Sequence, residues 1–223
     1  MSRPLLLGHR GARATRSIPE NTIPSFDLAL SHGCDGFEFD VRQTADQRAV
    51  ICHDPKFQGT EIAMAAEGTL AGLPTLAEVL ARYQASAFLD IEIKVPCLEA
   101  TLLRTLQTHP PERGFVVSSF LPAALRSLHQ LNPALPLGLI CETPAQLALW
   151  HSLPLQVLIP HHTLTSVDLI REVHSSGKKL FTWTVNRHDQ MDQFLNWGVD
   201  GIISDDTESL GKFRAQGELS RQP

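Results

Sequence analysis

Short apolar segments with strand character alternate with amphipathic segments along the whole chain. Eight segments are predicted as strands: Leu5–His9, Gly36–Val41, Ala87–Lys94, Phe115–Ser119, Pro136–Ile140, Leu155–Pro160, Lys179–Val185 and Gly201–Ser204. Seven segments between them are predicted as helices: Ser25–His32, Leu76–Arg82, Leu98–Thr108, Ala123–Leu131, Ala145–His151, Val167–Ser176 and Asp189–Asn196. This alternation is typical of an α/β protein with a closed (β/α)8 TIM barrel.

The main alternative is an open, doubly wound parallel sheet. Such a sheet usually has fewer repeats and a glycine-rich turn after its first strand, which this chain lacks. An extra short strand, Ala49–Cys52, is expected to form a hairpin with the end of the second strand. No Pro-, Gly- or Ser-rich linker marks a boundary, so we predict one domain over residues 1–223.

Acidic side chains alternate with apolar ones on the second and third predicted strands. Glu38 and Asp40 are two residues apart, so both carboxylates point to one face of the second strand. Asp90, Glu92 and Lys94 share a face of the third strand in the same way. Neighbouring strands of a barrel bring such groups together at the C-terminal mouth, where active sites of this fold lie. Three of these carboxylates, from Glu38, Asp40 and Glu92, are suitable ligands for Mg²⁺ or Ca²⁺.

The alternative to a metal site is an ion-pair network in which Arg42 and Lys94 neutralise the carboxylates. Two histidines favour the metal site, since His9 ends the first strand and His53 follows the extra strand. Two imidazoles beside a metal-bound phosphodiester can act as general base and general acid. Arg10, with Lys94, would supply fixed positive charge for a phosphate.

Composition narrows the class of protein further. The 223 residues are 43% hydrophobic and 19% charged, which is ordinary for a globular protein with a substantial core. The net charge of −5 and the absence of a basic stripe argue against nucleic-acid binding. The four scattered cysteines are expected to be reduced and mostly buried. No apolar run is long enough for stable membrane insertion, so we expect a cytoplasmic enzyme whose oligomeric state the sequence leaves open.

Nine segments resemble the glycerophosphodiester phosphodiesterase family and follow its order. They are His9-Arg10-Gly11, Glu20-Asn21-Thr22, Glu38-Phe39-Asp40, His53-Asp54-Pro55, Pro74-Thr75-Leu76, Ile91-Glu92-Ile93-Lys94, Ser119-Phe120, Trp183-Thr184-Val185-Asn186 and Gly198 to Asp205. Each segment alone is weak, but together they extend over almost the whole chain. The resemblance implies a TIM barrel that hydrolyses glycerophosphodiesters, small-molecule substrates, to sn-glycerol 3-phosphate and an alcohol.

The resemblance also implies roles for individual residues. Glu38, Asp40 and Glu92 match the family's metal ligands, and His9 and His53 match its acid–base pair. Arg10 and Lys94 match the positions that grip the phosphate. In the reaction that the resemblance implies, the glycerol 2-hydroxyl attacks phosphorus and water then opens the cyclic phosphate.

Other matched residues are expected to support the mouth of the barrel. Trp183 could present its flat face to the glycerol carbons with Phe120 opposite, although core packing is an alternative for both. Glu20 and Asn21 are expected to serve the site, Asn21 by orienting metal ligands. Asp205 is expected either to orient Lys94 or Arg10 or to touch the substrate.

The chain departs from the family in two loops. Residues 56–73 replace a longer insertion that would cover the site, so a shortened insertion and a more open mouth are expected after the second strand. The loop between Gly11 and Glu20 holds Arg13 and Arg16, which would either recognise a second negative charge or be solvated.

Three rival functions are open at this point. In a barrel aldolase Lys94 would form a Schiff base, but neighbouring carboxylates would keep it protonated. A non-catalytic glycerophosphodiester-binding protein would not need both histidines. A phosphodiesterase of the same barrel acting on lysophospholipids would be expected to carry an amphipathic, membrane-seeking helix, which the sequence does not show.

Overall fold

The computed structural model describes residues 3–219, with side chains described for residues 3–213. The single-domain prediction for residues 1–223 therefore includes positions 1–2 and 220–223, which lie outside the described residues.

Strands and helices alternate from the first described element to the last. The strands are β1 (Leu5–His9), β2 (Gly36–Gln43), β3 (Ala49–Ile51), β4 (Lys56–Phe57), β5 (Thr60–Glu61), β6 (Phe88–Ile93), β7 (Phe115–Ser119), β8 (Leu137–Cys141), β9 (Val157–Pro160), β10 (Lys179–Thr182) and β11 (Gly201–Ser204). The α-helices are α1 (Ile23–Ser31), α2 (Leu76–Tyr83), α3 (Glu99–Thr108), α4 (Pro122–Leu131), α5 (Pro144–Leu147), α6 (Val167–Ser175), α7 (His188–Trp197) and α8 (Thr207–Leu219). Short 3₁₀ helices occupy Ile62–Met64, Glu67–Thr69, Ala148–Ser152 and His162–Leu164.

Eight parallel strands close into a barrel. Their order is β1-β11-β10-β9-β8-β7-β6-β2. Because β1 also pairs with β2, the eight strands form a closed ring. Helices connect the strands around the outside. The predicted (β/α)8 TIM barrel is confirmed, and the open doubly wound sheet is excluded.

The boundaries of most predicted elements are close to those observed, but two predicted elements differ in extent, and β4, β5 and several short helices were not predicted. β10 ends at Thr182, because Trp183 makes only an isolated bridge to His161 beyond it. The helix predicted over Ala145–His151 is a four-residue α-helix followed by a 3₁₀ turn. Helix α8 was not predicted. The predicted extra strand is confirmed as β3, which runs antiparallel to the end of β2.

Apolar side chains form one layer outside the barrel and another inside it. Phe37, Phe39 and Val41 of β2 are buried in the outer layer, where Phe26 of α1 stacks on Phe37 with centroids 4.2 Å apart. Alternate residues of the same strand, Glu38 among them, therefore face the interior. The lower part of that interior is filled by an apolar cluster: Leu7, Val116, Ile140, Val157, Ile159, Phe181 and Ile203.

The segment after β3 is short but structured. Its β4–β5 hairpin and two 3₁₀ turns pack Ile62, Ala65 and Leu70 onto Val50. This small cluster holds the segment beside β3, and none of residues 56–73 lines the pocket at the barrel mouth. The segment therefore contributes no side chain to the wall of that pocket.

Local sequence signals account for several helix ends. Thr22 is the N-cap of α1 and Ser166 is the N-cap of α6, where each side chain accepts a backbone N–H. Gly198 ends α7 in the left-handed conformation with φ of 88°.

The four cysteines are free thiols, and two of them, Cys34 and Cys141, are buried. Cys52 is half-buried and Cys97 is exposed, so the expected burial holds for only half of the set. Within the described residues, no helix is long and apolar enough to cross a membrane.

Truncating the aromatic layer outside β2 should destabilise the protein. Phe39 is fully buried against Phe26 and Phe37, so Phe39→Ala is expected to lower the free energy of unfolding by about 3–5 kcal/mol. Urea denaturation followed by circular dichroism measures the change. Leu131→Ala, at a side chain that is 58% exposed, is the control and should change stability by no more than about 0.5 kcal/mol. Equal effects of the two substitutions would show that the aromatic layer does not contribute more to stability than an exposed side chain.

Candidate active site

The turn after β1 brings backbone and side-chain groups to the barrel mouth. Arg10 and Gly11 both have positive φ, at 52° and 83°. A Cβ on Gly11 would lie 2.4 Å from Ser25 Oγ, so glycine is required there for space as well as for conformation. The turn points the Arg10 backbone N–H at Glu38, whose Oε2 accepts it at 3.0 Å.

Strand register gathers the predicted carboxylates. Asp40 of β2 pairs with Glu92 of β6, while Glu38 pairs with Asp90 on one side and His9 on the other. One carboxylate oxygen from each of Glu38, Asp40 and Glu92 lies within 4.8 Å of the others. All three side chains are buried. The convergence predicted from the two alternating strands is therefore present.

These three carboxylates fit a divalent metal ion. Glu38 Oε1 is buried and accepts no hydrogen bond in the described part of the chain, and Asp40 Oδ1, also without a hydrogen bond there, is 3.2 Å from the ammonium of Lys94. A buried, ionised oxygen without a hydrogen bond lowers the stability of the fold unless a cation lies beside it. Three carboxylates form a hard oxygen donor set, which suits Mg²⁺ or Ca²⁺ and not zinc.

Two cationic side chains adjoin the three carboxylates. Lys94 Nζ lies 2.6 Å from Glu92 Oε1 and 3.2 Å from Asp40 Oδ1. Arg10 Nε lies 3.3 Å from Asp40 Oδ2, and the guanidinium also binds Glu20.

Arg42, which the alternative interpretation placed among the carboxylates, lies elsewhere. Its guanidinium donates to the backbone oxygen of His53, with Nε at 2.8 Å. Arg42 therefore holds the loop that carries His53 and does not neutralise the acidic cluster.

The ionisation of the cluster is strongly perturbed. Burial, followed by the charges of Asp40 and Glu92, raises the pKa of Glu38 well above its ordinary value. Burial and Asp40 also raise the pKa of Glu92, to about 7, against the opposing effect of Lys94. Burial acts in the same direction on Asp40, but Lys94, Arg10 and the amide of Asn21 hold its pKa below the usual range. Without a metal, the cluster therefore keeps protons near neutral pH.

Asp90 is a fourth carboxylate that was noticed on the strand but not assigned to the site. It is fully buried and lines the pocket, level with Glu38 in the strand register. Ser118 donates to its Oδ1, while Oδ2 accepts no hydrogen bond. Burial raises the pKa of Asp90 to about 7 despite that bond. The sequence signal for Asp90 was its position on the same strand face as Glu92.

His9 is oriented by a carboxylate from the far end of the chain. Its Nδ1 lies 2.7 Å from Asp205 Oδ1, and its Nε2 lies 3.8 Å from Glu38 Oε2. Burial lowers the pKa of His9, although the bond to Asp205 opposes the shift. With Nδ1–H donating to the ionised Asp205, Nε2 of the neutral ring is free to accept a proton.

The expectation that Asp205 orients Lys94 or Arg10 is wrong. Asp205 contacts neither Lys94 nor Arg10; it accepts hydrogen bonds from Arg13 at 3.2 Å and Asn186 at 2.8 Å, besides its contact with His9. Burial raises the pKa of Asp205, but these three partners lower it further than burial raises it. The pairing of β11 with β1, which brings the ends of the two strands side by side, determines this contact.

His53 lies at the more open side of the mouth. Its ring is about one-third exposed, and its Nδ1 lies 2.8 Å from Asp54 Oδ1. The pairing leaves Nε2 available in the pocket that His53 lines together with His9. The two predicted histidines therefore border one cavity, one buried and one facing solvent.

Aromatic side chains form part of the wall of this cavity, which has a volume of about 180 Å³. Trp183 and Phe120 meet edge to face with centroids 5.6 Å apart, and both line the cavity. Trp183 Nε1 donates to the backbone oxygen of Ile159, which fixes the indole. Lys94 Nζ lies 5.7 Å from the centre of the Phe120 ring.

The loop after β1 supports the cluster from outside. Asn21 donates its amide to Asp40 Oδ2 at 2.7 Å, and Glu20 accepts from Arg10 and from Arg13. Arg13 pairs with Glu20 and Asp205, and its side chain is 40% exposed. Arg16 is exposed, as expected for a loop residue.

Comparison with known proteins agrees with this geometry. The model of the "glycerophosphoryl diester phosphodiesterase family" matches residues 9–64 and 57–209. A glycerophosphodiester phosphodiesterase of Caldanaerobacter subterraneus subsp. tengcongensis is 32% identical, over 92% of this chain and 96% of its own. An enzyme of the same name from Bacillus subtilis is 27% identical, over 91% and 83% of the two chains.

Solved structures share the same barrel. A phosphodiesterase from Oleispira antarctica, in complex with the product sn-glycerol-3-phosphate, superposes with a TM-score of 0.82 at 24% identity, over 98% of this chain and 97% of that one. A protein from Silicibacter pomeroyi gives a TM-score of 0.83 at 24% identity, over 96% and 95% of the two chains. The fold is thus that of a (β/α)8 barrel with an acidic, histidine-flanked mouth. The chain belongs to the glycerophosphoryl diester phosphodiesterase family.

Removing the carboxylate behind His9 should lower the pKa of its imidazole further. The bond to Asp205 favours the charged ring, so Asp205→Asn removes the contribution that opposes burial. An NMR titration of the metal-free protein, with the His9 ring resonances assigned, measures the shift. Asp189→Asn, an exposed substitution paired only with Arg187, is the control. An unchanged His9 titration in Asp205→Asn would disprove the coupling.

Proposed function

We propose that this protein is a metal-dependent phosphodiesterase that hydrolyses glycerophosphodiesters to sn-glycerol 3-phosphate and an alcohol. The observation that carries the proposal is the cluster of three buried carboxylates, of which Glu38 and Glu92 line one cavity together with His9 and His53. Family membership supports the substrate class, since relatives over most of their length bear the name glycerophosphodiester phosphodiesterase. The single-domain organisation over residues 1–223 and a cytoplasmic location stay predictions.

Glu38, Asp40 and Glu92 would hold the divalent ion, Mg²⁺ or Ca²⁺. When bound, such an ion neutralises the charge that develops on the phosphoryl oxygens. Arg10 and Lys94 adjoin the carboxylates and would hold the remaining phosphate oxygens, Arg10 through paired N–H groups and Lys94 as a point charge. Asn21 and Glu20 would position Asp40 and Arg10, and Asp205 would position His9.

His9 is suited to the role of general base. Its buried ring has a lowered pKa, and Asp205 directs the Nε2 lone pair toward the cavity. In the first step Nε2 takes the proton of the glycerol 2-hydroxyl, whose oxygen bonds to phosphorus as the bond to the alcohol breaks. His53, at the solvent side, gives its proton to the departing alkoxide. In the second step His53 deprotonates water and His9 returns its proton to the 2-oxygen.

The rival functions are less well supported. Burial lowers the pKa of Lys94, but Glu92 and Asp40 raise it further, so the amine stays protonated and is a poor Schiff-base nucleophile. A binding protein would gain nothing from a buried histidine that is held by a carboxylate. An enzyme for lysophospholipids would need an apolar surface beside the mouth. In the described lining of the cavity, Phe120 and Trp183 are the only large aromatic side chains.

Release of sn-glycerol 3-phosphate from a panel of glycerophosphodiesters tests the proposal directly. A coupled assay for that product is expected to give turnover that a chelator abolishes and that Mg²⁺ or Ca²⁺ restores. Chelator-resistant turnover would refute the metal's role. Absence of turnover with every diester, in protein loaded with either ion, would refute the activity.

Substituting either histidine should slow the chemical steps. His9→Ala and His53→Ala are each expected to reduce kcat by about 10²–10⁴-fold, because each step needs both a proton acceptor and a proton donor. Steady-state kinetics with a saturating diester measures the loss. His109→Ala, at a histidine remote from the cavity, is the matched control. Wild-type turnover in either test variant would remove that histidine from the mechanism.

Metal binding should release protons. In the metal-free cluster, Glu92 has a pKa of about 7 and Glu38 is raised as well, so both hold protons below neutral pH and must lose them to the ion. The apparent affinity for Mg²⁺ or Ca²⁺ should therefore weaken steadily as the pH falls below about 7. Calorimetry in buffers of different ionisation enthalpy counts the protons released. Glu92→Gln should release fewer, and binding without proton release would contradict the raised pKa values.

A further inference from the structure

Arg13 lies between the parts of the site that handle the phosphate and the proton. Its Nε donates to Glu20 Oε2 at 2.6 Å, and its Nη1 donates to Asp205 Oδ1 at 3.2 Å. Each carboxylate also holds a residue of the site. Glu20 Oε1 accepts from Arg10 Nη1 at 2.8 Å. Asp205 Oδ1 lies 2.7 Å from His9 Nδ1. A continuous series of ion pairs and hydrogen bonds therefore runs from Arg10 to His9 through Arg13.

The backbone on both sides of Arg13 is fixed to two elements of the barrel. The Ala12 N–H donates to the backbone oxygen of Ser25 in α1 at 3.1 Å. The Ala14 N–H donates to the backbone oxygen of Asp205, directly after β11, at 3.0 Å. These bonds hold the loop after β1 beside the end of β11, so the contact between Arg13 and Asp205 is supported by the backbone as well as by the side chain.

The shape of the guanidinium lets one residue hold both carboxylates. Its N–H groups lie in one plane and point in different directions, so Nε and Nη1 can serve two acceptors at once. Burial raises the pKa of Glu20, but Arg10 and Arg13 lower it further, so this carboxylate stays ionised and keeps both bonds. A lysine in the same place would supply a point charge without the fixed geometry.

We propose that Arg13 is a positioning residue that fixes the phosphate-holding Arg10 and the general base His9 relative to each other. The inference rests on the proposed phosphodiesterase activity. Arg13 is not among the described residues that line the cavity, so it acts through its two carboxylates. Without Arg13, both oxygens of Glu20 can turn toward Arg10. Asp205 likewise loses a donor that fixes the oxygen it presents to His9. A displacement of about 1 Å at a reacting group is enough to slow catalysis.

Three substitutions separate the two halves of this series. Glu20→Gln should weaken binding of sn-glycerol 3-phosphate, because Arg10 loses its ionised partner, and Asp205→Asn should lower kcat, because His9 does. Arg13→Ala should do both, by about tenfold each. Calorimetry measures the product affinity, and the coupled assay measures kcat. Combined with Glu20→Gln for affinity, or with Asp205→Asn for kcat, Arg13→Ala should add much less than about tenfold, because residues of one contact are not additive.

Chemical rescue tests the bridge itself. Arg13 is 40% exposed and borders an open cleft of about 550 Å³, so a small cation can reach the space that its side chain leaves. Low millimolar guanidinium chloride should restore kcat and product affinity to Arg13→Ala, whereas sodium chloride or urea at the same concentration should not. Arg13→Lys keeps the charge but cannot hold both carboxylates, so it should recover at most one of the two quantities. Arg16→Ala, at an exposed arginine that borders the same cleft, is the matched control and should behave as the wild type.

The outcomes separate this inference from the proposed function. Unchanged kcat and product affinity in Arg13→Ala would overturn the positioning role, and so would effects that simply add to those of Glu20→Gln and Asp205→Asn. Full recovery in Arg13→Lys would overturn it too, because charge alone would then suffice. If no diester is hydrolysed, the activity is refuted. In that case a loss of product affinity shared by Arg13→Ala and Glu20→Gln would keep the link to Arg10, and an unchanged affinity would refute the link as well.

Discussion

The structure of the mouth depends on one electrostatic constraint, the crowding of acidic side chains inside the barrel. Glu38, Asp40, Asp90 and Glu92 are all buried, and the register of two adjacent strands makes them neighbours. Carboxylates at this spacing cannot all be ionised in a low-dielectric interior without cations beside them. Lys94 and Arg10 supply part of the compensation to Asp40, and the buried Glu38 Oε1, which accepts no hydrogen bond in the described residues, indicates where more is needed. Much of the polar network around the cluster follows from this requirement.

Features carried by local alternation were predictable from the sequence. Glu38 and Asp40 alternate with buried phenylalanines, and that period of two fixes which side chains face the interior. The glycines and small polar caps mark helix ends in the same direct way. The position of His9 at the end of β1 followed from the rule that the C-terminal mouth of a barrel carries its chemistry.

Features that depend on closure or on side-chain reach were not predictable. Asp205 is 196 residues from His9 along the chain, and only the pairing of β1 with β11 brings the two together. The alternative ion-pair interpretation placed Arg42 among the acidic side chains, but the guanidinium binds the backbone oxygen of His53 instead. The break of the fifth predicted helix into two short pieces and the presence of α8 depend on packing that periodicity does not report.

The pairing of the first barrel strand with the last has a consequence for synthesis. The ribosome releases β1 early, yet its second neighbour, β11, emerges only after nearly all of the remaining chain. Until then one edge of β1 has no partner, and the imidazole at its end lacks the carboxylate that orients it. A chain that lacks β11 therefore has an incomplete site, because it also lacks the carboxylate that orients His9.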